Sequence, residues 1–275
     1  MSDRGFVLVA LNTDTDYTRL AYACALSIKH SQPVDNNHVT VFTNTPDAFA
    51  QYAVSGAIDN IQLYHGPEGM DSRSRIHDIT PYEHTVFLDS DMLILDAIDW
   101  DTLSSYYLYV ASTAVDFRNN LIVGYGPYRK VFEQYQLPNL YNAFTYFKKS
   151  DPRAIEFFNL VKIITDNPRA FISKFLPGSI LLTMPTDEAF AIAAKILDID
   201  EDITSDLIKV THMKPALQGW SSGEDWTSHV RLDITNQAVT RIGVWPQHGL
   251  LHYVDKQAID DTMLLTLEEL ACKKI

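Results

Sequence analysis

The stretch His84 to Leu95, HTVFLDSDMLIL, sets two carboxylates one residue apart between two apolar runs. His84–Leu88 reads as a buried strand, and Met92–Leu95 is a second apolar run directly after the acids. The plain reading is a strand that ends in a turn. The other reading is a ligand site, because open α/β sheets bind ligands beyond the carboxyl ends of their strands. Two carboxylates there offer hard oxygen ligands that suit Mn²⁺ or Mg²⁺. Spacing alone carries little weight: the sequence has five Asp-x-Asp triplets, at 14–16, 89–91, 99–101, 198–200 and 200–202. Only Asp89–Asp91 has a strand directly before it and an apolar run directly after it.

Outward from this stretch, strand and helix patterns alternate. Phe6–Leu11 is a continuous apolar run, as in a buried parallel strand. Tyr17, Leu20, Ala21, Cys24 and Ile28 then recur at helical spacing, with Asp14 or Asp16 as the cap. His38–Phe42 is a second strand. Pro46 opens a helix through about Val54, and Asn60–Tyr64 is a third strand. Arg73–Ile79 is a short helix that stops before Pro81. This order predicts a mostly parallel sheet with helices on both faces. The second half is less regular. Strands are expected at Tyr106–Ser112 and Tyr141–Phe147, and helices at Pro152–Thr165 and Thr186–Leu197. Short strands follow at Ile208–Met213, Val230–Thr235, Val239–Val244 and Leu250–Val254, a smaller mixed β region. No linker rich in Pro, Gly or Ser interrupts the chain, so one domain over 1–275 is expected.

Composition narrows the function. The chain has 275 residues, 46% of them hydrophobic, enough for a sizeable core. Its 22 Lys and Arg against 35 Asp and Glu give a net charge of −13. That balance disfavours a broad polyanion-binding face and is compatible with a site for a divalent cation. Two cysteines, Cys24 and Cys272, exclude a zinc site built from cysteines. The apolar run near the N-terminus is too short for a signal peptide, and no stretch approaches a membrane span. A cytoplasmic, reduced protein is the expectation.

With these segments in view, the sequence resembles GT-A fold glycosyltransferases, Rossmann-like α/β enzymes. It is most similar to the retaining, glycogenin-like and galactosyltransferase-like group, family 8. FVLVALN at the start and VFLDSDMLIL near position 90 carry the resemblance. LVALNTDTDY, SRSRIHDI, YNAFTYFKKS, TDEAFA and LLHYVDK follow in the expected order. The resemblance implies a nucleotide-sugar donor, a UDP-sugar in the simplest case, bound by the first 105 residues or so. Residues 106–275 would then supply the acceptor side and the C-terminal metal and diphosphate motif. Asp89, Asp91 and His252 would hold Mn²⁺ or Mg²⁺, with His212 the rival third ligand. Ala10, Asn12, Thr13 and Tyr17 would hold the base and ribose, beside Ser90. Arg73, Arg75 and Lys256 would meet the phosphates, Arg73 fitting the spacing better. Asn142, Asp187 and Glu188 would stand near the anomeric carbon, and the configuration there would be retained.

Two departures from the family pattern matter. Phe144 stands where the family has glycine, and Glu188 stands where it has glutamine, so Glu188 is either a nucleophile or an electrostatic neighbour. Asp187 and Glu188 have a plain structural reading too, as acids in a first helical turn capped by Thr186. His248 reads as a turn residue, and Trp220 and Trp226 are candidates for lining an acceptor pocket. The acceptor itself stays open among a saccharide, a protein, a small molecule and a hydroxylated DNA base. DNA would need a basic groove, for which Arg118, Arg129, Lys130, Lys148 and Lys149 are the clustered candidates. A sugar-nucleotide pyrophosphorylase fits less well, since LNTDTDY lacks the glycines of a triphosphate loop. A non-catalytic nucleotide-binding protein with a degenerate transferase fold is the reading from another class.

Overall fold

Strand β1, Arg4–Ala10, is covered on both sides, and its side chains divide between two cores. The structure is a computed structural model that describes residues 2–66, 69–120, 129–221 and 223–273. Phe6, Leu8 and Ala10 face one core and Val7 the other, the period of two that a pleated strand imposes. The next strands are β2 (Val39–Thr43), β3 (Asn60–Leu63) and β4 (His84–Leu88). Val39, Val41, Val86 and Leu88 join the first core, and Phe42 and Phe87 the second. Full burial of each such side chain contributes about 1.5–3 kcal/mol.

Four more strands complete the central architecture: β5 (Met92–Ile94), β6 (Leu108–Ala111), β7 (Thr113–Val115) and β8 (Tyr141–Lys148). The main sheet has six strands in the order β3-β2-β1-β4-β8-β6. β1 to β4 pair in parallel, and β8 runs against both of its neighbours. The expected mostly parallel α/β sheet is present. The strand expected over Tyr106–Ser112 is β6, Leu108–Ala111, and past Ser112 the chain continues as β7 in a second sheet. The same happens after Leu88, where β4 gives way to β5.

That second sheet has four strands, β5 and β7 with β9 (Lys209–His212) and β13 (Leu250–His252), in the order β5-β13-β9-β7. Between β9 and β13 lie β10 (Leu232–Ile234), β11 (Thr240–Ile242) and β12 (Trp245–Pro246), a small antiparallel sheet. The pairing of β13 with β5 is antiparallel and sets His252 opposite Met92. Its pairing with β9 is parallel and sets His252 opposite His212.

Helices cover both faces of the main sheet. α1 (Tyr17–Ser31) is capped by Asp16, whose carboxylate accepts the Arg19 N–H at 3.3 Å. The expected helix after Pro46 is a run of tighter 3₁₀ turns over Pro46–Ser55 that stops at Gly56, whose φ of 64° suits glycine. The expected helix from Arg73 divides likewise into 3₁₀ turns over Gly69–Arg75 and one α-turn, α2 (Ile76–Ile79). α3 (Trp100–Leu103) and α4 (Lys130–Gln134) are short. α5 (Pro152–Asp166), α6 (Pro168–Phe175) and α7 (Thr186–Leu197) pack on the second core, followed by α8 (Asp200–Ile203). The last helix, α9 (Asp261–Cys272), was not anticipated. Asp260 caps it, and it lies along α1 with Arg19 on Asp261 at 2.8 Å and the Tyr22 hydroxyl on Glu268 at 2.8 Å. Among the described residues no helix is long and apolar enough to cross a membrane.

Candidate active site

Asp89, Ser90 and Asp91 form the link between β4 and β5, and therefore between the two larger sheets. The link is pinned from three directions. The Ser90 hydroxyl donates to the Val9 carbonyl at 2.8 Å. The Asp89 N–H donates to Ala143 O at 3.1 Å, and the Tyr253 N–H donates to Asp91 O at 3.2 Å. Both carboxylates are buried, and His252 joins them because its strand ends opposite Met92. One donor atom from each of Asp89, Asp91 and His252 lies within 4.8 Å of the others. Two carboxylate oxygens and one imidazole nitrogen at that separation could hold a divalent cation.

The protein's own cations stand against these acids. Arg73 Nη2 meets Asp89 Oδ2 at 2.7 Å, and its Nη1 reaches Asn142 Oδ1 at 3.4 Å. Lys256 Nζ bonds Asp91 Oδ2, and His252 Nε2 lies 3.2 Å from Asp91 Oδ1. Burial raises the Asp89 carboxyl above the ordinary carboxylate value, against the pull of Arg73. Burial acts the same way on Asp91, but the His252 ring and the Lys256 ammonium overcome it and hold that carboxyl well below the usual range. The two acids therefore differ, one desolvated beside a single arginine and the other charged between two partners.

Lys256 reaches Asp91 from an unusual turn. The Asp255 N–H donates to Tyr253 O at 2.6 Å, closing a γ-turn centred on Val254 at φ 60°. A β-branched residue is strained there. Neighbours hold the turn in place. Trp226 Nε1–H donates to Tyr253 O at 2.5 Å, and the Thr227 hydroxyl donates to Asp255 Oδ2 at 2.8 Å.

Behind His252 stands Tyr141, whose buried hydroxyl lies 2.5 Å from His252 Nδ1 and also bonds His212 Nδ1. The two imidazoles pack edge to face with centroids 5.0 Å apart. Burial holds the His212 ring far below the ordinary histidine value, so it is neutral. His212 is thus beside His252 without belonging to the three-residue cluster. Neither residue count nor periodicity singles out Tyr141; its role follows from the register that brings β8, β9 and β13 together.

On the other side of Asn142, Asp187 accepts the Asn142 N–H at 3.0 Å through Oδ1 and pairs with Arg129 Nη1 at 2.7 Å through Oδ2. Arg129 is itself buried, with Nε on Asn139 Oδ1 at 2.5 Å and Nη2 on the Leu140 carbonyl. Glu188 is half-buried beside Asp187, and burial with that neighbouring charge raises its carboxyl. Thr186 does not cap α7. Pro185 occupies the cap position, and the Thr186 hydroxyl is buried in the first turn with no hydrogen-bond partner among the described residues. The Asn142 side-chain N–H₂ is likewise buried and unpartnered among them. Phe144 is fully buried in the first core, edge-on to Tyr109, so its bulk is absorbed by packing.

A cavity of about 270 Å³ opens over the acids, lined by Thr13, Tyr17, Arg73, Ser90, His252 and Lys256 among others. Tyr17 faces Lys256, whose Nζ lies 5.2 Å from the ring centroid. The other expected nucleotide-side residues are placed differently. Ala10 is buried at the end of β1. The Asn12 amide is committed to the Thr18 and Thr45 hydroxyls at 2.6 and 2.7 Å, and holds the loop after β1. Arg75 turns away, its Nη2 shared between both carboxylate oxygens of Asp166 on α5, since residues two apart in a helical turn do not share a face. Trp226 is buried, and Trp220 stacks on His229 at 4.6 Å.

The basic residues of the middle segment do not converge on one groove. Arg129 is buried on Asp187, Arg118 lies over Phe117 at 4.1 Å, and Lys149 Nζ bonds the Thr80 carbonyl at 2.5 Å. A larger cavity, about 480 Å³, opens at the other end of β13 between Asp96, Asp206 and His248. Its acids already have partners: Asp96 accepts the Gly249 N–H at 2.7 Å and Asp206 the Thr113 hydroxyl at 2.8 Å. Of the two cavities, the smaller is the one lined by Asp89, Asp91 and His252 together.

No family profile and no curated protein sequence matches the chain. Among solved structures it is similar to the crystal structure of the glycosyltransferase GlyE from Streptococcus pneumoniae TIGR4. Identity is 12% and the TM-score 0.54, over 98% of this chain and 60% of that one. The apo form of GlyE superposes with a TM-score of 0.51 at 11% identity, over the same shares. The chain thus spans 60% of the length of these neighbours. At such identity the likeness is one of fold: a glycosyltransferase-like α/β architecture, with nothing that singles out family 8.

Proposed function

We propose that the chain is a metal-dependent glycosyltransferase that moves a sugar from a nucleotide-diphosphate sugar, most simply a UDP-sugar, to an acceptor hydroxyl. The observation that carries this reading is the convergence of Asp89, Asp91 and His252 in one cavity with Arg73 and Lys256. Residues 1–105 contribute the donor side and 106–275 the acceptor side of one catalytic unit. Asp89, Asp91 and His252 would hold Mn²⁺ or Mg²⁺, which when bound neutralises the diphosphate and stabilises it as a leaving group. Arg73 and Lys256 are already cationic and aimed at the same place. They exchange a carboxylate for the phosphate oxygens and stabilise charge where it develops. Tyr17 and Thr13 line the route along which the nucleoside lies.

The sugar would rest toward Asn142 and Asp187. The unpartnered Asn142 N–H₂ supplies a donor for a sugar hydroxyl. Asp187, fixed by Arg129 and the Asn142 backbone, is a rigid anion suited to oxocarbenium character. Glu188 stands next to it, and retention at the anomeric carbon is the outcome we favour. A DNA acceptor gains no support, since the middle-segment basic residues are dispersed or buried.

The test is thermal unfolding against a panel of nucleotide diphosphates and nucleotide sugars, with and without Mn²⁺. A ligand that binds only the native state raises the midpoint. We expect a rise with one nucleotide, seen only with the ion. We expect Asp91→Asn to fold normally and lose that rise. Equal nucleotide binding by wild type and Asp91→Asn would overturn the assignment.

A further inference from the structure

The Tyr141 hydroxyl carries one proton and is bonded to the same nitrogen, Nδ1, of two different imidazoles. A hydroxyl donates once, so it cannot donate to both rings, and at least one ring donates to it. The two histidines therefore cannot both turn a bare Nδ1 to it. His252 decides which way the chain runs. Its Nε2 is the atom that faces Asp91, 3.2 Å away, and its ring belongs to the three-residue cluster. A nitrogen that ligates a cation must be free of its proton. The remaining proton of the neutral ring then sits on Nδ1 and is donated to the Tyr141 oxygen. The Tyr141 proton can then go to His212 Nδ1, which accepts it when that nitrogen is bare.

We propose that His212, acting through Tyr141, is the positioning residue that sets His252 as a cation ligand. By accepting the Tyr141 hydrogen bond it leaves the phenol oxygen to accept from His252 Nδ1, which frees Nε2. The geometry has no slack. His212 and His252 are register partners on paired strands, both are buried, and Tyr141 leads the strand that crosses behind them. If His212 is replaced by a side chain that accepts nothing, Tyr141 turns its proton to His252 Nδ1. That favours the tautomer with its proton on Nε2, aimed at Asp91 and closed to an ion. Groups behind a metal-ligating histidine typically govern metal affinity by about 10–100-fold.

This inference rests on the cation site proposed above, and direct Mn²⁺ binding tests the two separately. Free Mn²⁺ is titrated by electron paramagnetic resonance against wild type, His212→Leu, His212→Gln, Tyr141→Phe and the Tyr141→Phe/His212→Leu double variant, each first shown folded by circular dichroism. We expect His212→Leu to weaken Mn²⁺ binding about tenfold or more. His212→Gln, whose amide oxygen accepts from Tyr141, should restore most of it. In the Tyr141→Phe background His212→Leu should change little, because the proton it controls is gone. A merely structural role for His212 predicts additive losses in the double variant, and that result would overturn the proposal. So would wild-type affinity in His212→Leu, or failure of His212→Gln to recover. Absence of Mn²⁺ binding by wild type would remove the cation site and this inference with it.

Discussion

Val254 illustrates how a single backbone angle sets chemistry. It holds φ at 60° between His252 and Lys256, where a Cβ branch is unfavourable by about 1–3 kcal/mol. Val254→Gly removes that strain, partly offset by the greater freedom of glycine in the unfolded chain. A net gain of about 1 kcal/mol corresponds to a rise of roughly 2–4 °C in the unfolding midpoint. The turn also aims Lys256 at Asp91, so the same variant should weaken Mn²⁺-dependent nucleotide binding. Stability and affinity are expected to move in opposite directions; if both rise, the turn does not position Lys256. At this scale the sequence was informative where chemistry is rare. Asp89 and Asp91 stood out because a strand preceded them, and His252 and Lys256 stood out by resemblance. Tyr141 did not, because a tyrosine that opens a strand is common, and Arg129 was marked only for a basic groove, not as the partner of Asp187. Their partners, His212 with His252 and Asp187, are 71, 111 and 58 residues away.

Elements were legible where hydrophobic period and length agreed. β1, β4, α1, α5 and α7 fall close to where the pattern sets them. Pro46–Ser55 misled because proline, then a weak apolar spacing, marks helical turns without distinguishing 3₁₀ from α. β7, Thr113–Val115, was not anticipated, because three residues are too few to show a period of their own. Histidines at element ends add a pH dependence. His77, at α2, donates Nε2–H to the Lys149 carbonyl at 3.0 Å, and His84, which opens β4, bonds the Tyr146 hydroxyl at 2.7 Å. Burial lowers both rings below the ordinary value of 6.5. The unfolded chain therefore takes up protons near pH 6.5 that the native chain resists. Stability from these two groups is fully present above that value and is lost as pH falls through the lower native values. The midpoint should be flat from pH 8 to about 6.5 and decline below it, before ordinary carboxylates titrate near 4. The double variant His77→Gln/His84→Gln should flatten the upper part of that decline. An unchanged slope would place its origin elsewhere.

For the whole molecule, a net charge of −13 and a dispersed set of cations argue that recognition is local. Acceptor-dependent turnover should change by less than about threefold between 50 and 200 mM NaCl, as expected where screened surface charge is not used. A nucleic-acid acceptor held by 6–10 phosphate contacts would lose about 10³–10⁵ in affinity over that range. The fold also has a seam. The chain leaves the six-stranded sheet after Leu88 and again after Ala111, and each time enters the four-stranded one. Asp89 and Asp91 lie on the first crossing, tied to one sheet through Val9 and Ala143 and to the other through Tyr253. An ion gripped there would act as a rivet through two plates, shared by both and internal to neither. Amides of β5 and β13 should then exchange more slowly with deuterium when Mn²⁺ is added, while those of β2 and β3, remote from the seam, keep their rates. Binding a small ligand would thereby stiffen a joint between large bodies, and the joint in turn would hold the ligand in register.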